Sequence, residues 1–120
     1  MDWKTQASME AEKNCTVIAM RNRAQWHRER GMDFLNNSVR AMAQHDDDAR
    51  ALDAAADMIV QEHIANAGVK AGVYESAVTG FDRVRGKYVE VRDEKGWRCI
   101  WSEKLNAQEA VDMEASDAYS

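Results

Sequence analysis

The feature that most limits how this chain can fold is a change of period at Gly68. Before it, apolar residues recur in steps of three and four, the spacing of an amphipathic helix face. After it, Gly72, Gly80 and Gly86 punctuate segments rich in Val and Tyr, and the pattern turns to the alternation of half-buried strands. Helices first and strands second predict an α+β fold. The expected architecture is about three N-terminal helices packed on a small antiparallel sheet, with a C-terminal β-hairpin over roughly 86–102 and a short final helix.

The first helix is expected over about 2–30, capped by Asp2. Trp3, Ala7, Ala11, Cys15, Ile18, Asn22 and Trp26 line one face, and a weaker stripe of Met9, Val17, Met20 and Ala24 lies roughly opposite. A helix apolar on two sides is either sandwiched in a core or keeps one face for a partner, so a homodimer through this helix is one expectation. Gly31 interrupts it. A second helix is expected from near Asp33 to Gln44, with Asp33 as its cap and Phe34, Leu35, Ser38, Val39 and Met42 on one face. His45-Asp46-Asp47-Asp48 reads as a turn. A third helix follows to Ala67, with His63 inside its apolar stripe and Gly68 as its left-handed stop.

A strand within Val73–Thr79 is weakly signalled. The hairpin is better defined, because Asp93-Glu94-Lys95-Gly96 suits a type I turn with a glycine bulge. That turn pairs Asp93 with Trp97, Val91 with Cys99 and Val89 with Trp101. It puts these apolar residues inward, and Tyr88, Glu90, Arg92, Arg98 and Ile100 outward. Asn106 to about Ala115 is expected to form the last helix, and 116–120 to fray.

With 120 residues, 45% of them hydrophobic and 31% charged, the chain has the size and composition of one globular domain, 1–120. No apolar stretch approaches the roughly 18 residues of a membrane span. Met1-Asp2-Trp3-Lys4 does not open a basic, then apolar, leader. Cys15 and Cys99 have no metal-like spacing and read as reduced, buried thiols. A cytoplasmic protein is expected. The net charge of −5 is concentrated in residues 46–68 and 106–120, which argues against a dedicated nucleic-acid binder and suits a basic protein partner.

No glycine-rich phosphate loop, nucleophile elbow or zinc pattern occurs, so no catalytic residue, cofactor or metal is expected. His45-Asp46 with His63 is the one set that suggests a small metal-dependent hydrolase, against the plainer reading of a loop histidine beside helix-capping aspartates. The basic run Arg21–Arg30 suggests nucleic acid, but helical geometry divides its arginines between two faces. The residues expected at a partner surface are Trp3, Arg23, Arg30, Tyr88, Arg92, Arg98 and Ile100. In size, compactness, acidity and lack of motifs the chain resembles the small accessory proteins of phages and mobile elements, including anti-CRISPR and anti-restriction inhibitors. That resemblance implies a non-catalytic inhibitor that occludes a host defence complex, and it transfers no residue. Nucleic-acid binding is the second reading, and the small hydrolase the third.

Overall fold

The computed structural model describes residues 2–104; the expected final helix lies outside them. The order is α1 (Trp3–Glu12), α2 (Cys15–Gly31), α3 (Val39–Lys70), β1 (Ser76–Asp82), β2 (Gly86–Asp93) and β3 (Gly96–Ser102). Three helices precede a three-stranded antiparallel sheet of order β1-β2-β3, so the α+β expectation holds. Within the described residues the chain divides into two compact units, 12–57 and 2–11 with 58–104.

The unit of residues 12–57 is a helical hairpin. Where the sequence suggests one long first helix, the chain breaks at Asn14. Asn14 takes an extended backbone, φ −62° and ψ 130°, and its side chain accepts from the Thr16 and Val17 amides at 2.9 and 3.3 Å. Asparagine satisfies a new helix start better than it serves a helix interior. The break resets the phase of the apolar face. Val17 and Ala24, from the weaker stripe, become the buried positions of α2, while Ile18 and Cys15, from the stronger one, are exposed.

Opposite them lie Ala49 and Ala56, also buried and also seven residues apart, so each helix offers one narrow strip. Arg21 ties α2 to α3 beside this seam, donating to Glu12 at 2.9 Å through two nitrogens and to Asp57 at 2.9 Å. Arg28 pairs with Asp53. Rising positions on α2 meet falling positions on α3, the order of an antiparallel pair.

The second and third expected helices differ from the structure in two ways. α3 starts only at Val39, with Ser38 accepting from the Ala41 amide at 3.1 Å. It then runs unbroken through the expected turn at 45–48. The aspartates there find partners one turn away, Gln44 donating to Asp48 and Arg50 pairing with Asp46, both at 2.9 Å, and such i, i+4 pairs support a continuous helix.

The other unit places α1 and the later part of α3 with the sheet. Asp2 caps α1, accepting from the Thr5 amide at 2.7 Å. Ala7 and Ala11 are buried. The stop of α3 is at Gly72, not Gly68. Val73 donates to Gly68 and Gly72 to Val69, at 2.9 and 3.1 Å, with Gly72 at φ +80°, which is the Schellman pattern. Gly68 serves close approach instead. A Cβ there would run into the Tyr74 ring and come within 2.9 Å of Trp3. Trp3 meets Tyr74 edge-on, centroids 5.9 Å apart. Ala65, Tyr74, Val89 and Val91 form the core, with Trp3, Val69, Ile100 and Trp101 among the side chains packed on it.

The weakly signalled strand is real but displaced to Ser76–Asp82. In the second hairpin Asp93 pairs with Gly96 and Arg92 with Trp97, one residue off the expected register. An irregularity between Val89 and Glu90 absorbs the offset and restores Val89 opposite Trp101. Two corrections follow. Trp97 is exposed, not buried, and Ile100 packs on the core, not outward.

Candidate interaction surface

The loop joining α2 to α3, with the first residue of α3, carries the most exposed apolar side chains among the described residues. Met32 is 71% exposed, Phe34 76%, Leu35 96% and Val39 84%. Monomeric proteins rarely group large apolar side chains on the surface without a binding role. The expected second helix would have put Phe34, Leu35 and Val39 on one apolar face. Local hydrogen bonds decide otherwise. Asp33 Oδ1 accepts from the Leu35 and Asn36 amides at 3.3 Å each, and Asn36 donates to Asp33 Oδ2 at 2.7 Å. Asn37 donates to the Arg30 carbonyl at 2.5 Å and to that of Asp33 at 3.1 Å. These side chains stabilise a compact loop in competition with the helix. The Asp33 carboxyl is held below its ordinary value, first by the Asn36 side chain.

Beside this loop runs a groove of about 520 Å³ lined by His27, Arg28, Gly31, Met32, Val39, Met42, Ala43 and Asp46. Its floor is narrow because Gly31 lies against α3; a Cβ there would come 3.3 Å from that of His45. His27 of its lining shares one hydrogen bond with His45, Nδ1 to Nδ1 at 3.0 Å, and lies 3.9 Å from Asp48. Trp26 stands edge-on to both rings.

The expected hydrolase set is divided among other partners. His45 bonds His27 and Asp46 pairs with Arg50. His63, expected among core residues, is half exposed and lies 3.7 Å from Glu10. Among the described residues, no three His, Cys, Asp or Glu side chains are grouped so as to hold a metal ion.

The seven residues expected at a partner surface divide between the two units. Arg23 and Arg30 both approach the Trp26 ring, at 3.9 and 5.1 Å from its centroid. The other five belong to the sheet-containing unit. Trp3 and Ile100 pack on its core. Tyr88 lies across Gly80, whose missing side chain makes room for the ring, and Arg85 covers it at 3.8 Å. Arg92 pairs with Glu75 and Arg98 with Asp93, at 3.5 and 3.3 Å. Phe34, Leu35 and Val39 were the residues that the sequence pattern misassigned, and Met32 was given no role by it. The signal for them was Asn36-Asn37-Ser38, a run of cap and turn formers immediately before Val39. No helix among the described residues is long and apolar enough to cross a membrane.

Comparisons with protein-family models, with curated proteins and with solved structures found no match for this chain.

Proposed function

We propose that this chain is a non-catalytic protein-binding module that engages its partner through the α2–α3 loop and the groove beside it. The observation that carries the reading is the exposure of Met32, Phe34, Leu35 and Val39 within eight consecutive residues. Burying a side chain of this kind contributes about 1.5–3 kcal/mol, so a few of them suffice for a hot spot at the centre of an interface. A module of this kind acts by occupying a surface of its target, and an inhibitor that occludes a host defence complex is the form of action the reading favours.

The test is capture from a nuclease-treated lysate at low and at moderate salt, with the wild-type chain and with Leu35→Ser in parallel. A discrete protein retained at moderate salt by the wild type and lost by the variant is the expected result. Equal retention by both chains would place the interface elsewhere.

A second reading rests on Arg23 and Arg30. Both guanidinium groups lie against Trp26, and neither has an ion-pair partner among the described residues. An arginine–indole cluster suits a phosphate backbone and a stacked base. Material lost on nuclease treatment, and lost again in Arg23→Glu/Arg30→Glu, would favour this reading over the first.

A further inference from the structure

The outward face of α3 beside the apolar loop carries charges that its own chain leaves unmatched. Val39, Arg40, Ala43 and Asp47 are all exposed. Arg40 and Asp47 are seven residues apart, so they share one face of the helix at an axial separation of about 10 Å, and neither makes an ion pair with any described residue. Arg40 stands in the first turn of α3, which holds no acidic residue, and there the helix dipole disfavours a cation. Asp47 lies between two further aspartates, Asp46 and Asp48, which have partners of their own.

These facts are mutually complementary. The midpoint between Arg40 and Asp47 falls between Ala43 and Gln44. A second copy of α3, laid antiparallel about a two-fold axis through that midpoint, sets its Asp47 against Arg40 and its Arg40 against Asp47. Both mismatches are then relieved at once, which is the self-complementarity an isologous contact requires. Ala43, next to the axis, is small enough for the helices to approach closely. Val39 and the loop residues Phe34 and Leu35 continue the same end of the helix and add the apolar area that two exposed ion pairs cannot supply alone.

We infer that the partner at this surface is a second copy of the chain, held by antiparallel α3 helices with reciprocal Arg40–Asp47 pairs. The inference rests on the protein-binding reading of the α2–α3 end and names its partner. It moves the dimer contact from the first helix, where a two-faced pattern suggested it, to α3. The break at Asn14 explains why. Ala7 and Ala11 from one stripe and Val17 and Ala24 from the other are already buried.

Sedimentation equilibrium of the full chain over a concentration series tests it, with circular dichroism confirming that each variant is folded. The wild type is expected to dimerise. Arg40→Glu alone and Asp47→Arg alone should each weaken the dimer by roughly tenfold or more, because each turns two attractions into repulsions. The double exchange Arg40→Glu/Asp47→Arg should restore it. Leu35→Ser should weaken it in high and low salt alike. A chain that stays monomeric at every concentration, single reversals that dimerise like the wild type, or a double exchange that fails to restore the dimer would each overturn the inference. If the wild type is monomeric while Leu35→Ser still loses a captured protein, the second-copy inference falls and the binding reading stands. If it is monomeric and capture is unaffected, both fall.

Discussion

The unit that contains the sheet and the helical hairpin of residues 12–57 reach stability by different means. The first buries large groups: Tyr74, Val89 and Val91 at the centre, with Trp3, Ile100 and Trp101 packed around them. The second buries Val17 and three alanines, Ala24, Ala49 and Ala56. It secures the seam with Arg21 shared between Glu12 and Asp57, and leaves Met32, Phe34, Leu35 and Val39 in solvent. Alanines bring helices close but remove little apolar area each. A region with a thin core and an apolar tip therefore has area to gain from a partner that the other region has already gained internally. That difference is what supports placing the proposed binding surface at the α2–α3 end.

The largest effect that could break this contrast is expected at Tyr74. Tyr74→Ala removes a nearly buried ring from against Gly68 and Trp3 and should cost about 3–5 kcal/mol. Denaturant melts measure the loss, and amide hydrogen exchange resolved by residue should show it centred on the sheet and on residues 58–70. Equal loss of protection throughout 12–57 would contradict the contrast.

A smaller effect is expected at the alanine seam. Ala56 is fully buried, and Ala56→Leu should destabilise by about 1–3 kcal/mol through overpacking. A neutral or stabilising result in the same melts would show that the seam is loose and that the helical unit has unfilled space of its own.

The smallest effect is a pH dependence in the first hairpin turn. The Arg85 amide first, and then its side chain, hold the Asp82 carboxyl below its ordinary value of 3.8. A depressed carboxyl contributes stability that is complete above the unfolded value and is lost as pH falls through the folded one. Thermal melts should therefore show Asp82→Asn less stable than the wild type above 3.8, with the gap narrowing as pH is lowered further. A gap that stayed constant into strong acid would mean that the turn does not depend on the charge.

Local chemistry explains which parts of the fold were readable beforehand. The cap at Asp2, the helix interruption at Gly31 and the place of the turn at Asp93–Gly96 each depend on groups within a few residues of one another, and each occurs where expected, although the pairing across the turn is one residue off. Errors arose where two local preferences competed. Asn14 could extend a helix or start one, and starting one exchanged the buried stripe. Phe34 and Leu35 fitted a helix face, but Asp33, Asn36 and Asn37 close a loop around them. The aspartates at 46–48 looked like a turn and are helical because Gln44 and Arg50 meet two of them. The candidate surface was missed for the second of these reasons, since a helical pattern assigns its apolar residues to a core by default.

The order of helices before strands, the position of the hairpin turn and the lack, among the described residues, of a helix apolar enough to span a membrane were all decided by period and composition, which act over short stretches of chain. Only the tertiary structure decided which apolar residues are covered. Gly68 and Gly80 make sense only with the Tyr74 and Tyr88 rings against them, Trp97 is exposed and Ile100 is not, and Leu35 has no element packed over it. Coverage depends on what lies opposite a side chain, and that neighbour can be any distance away in sequence.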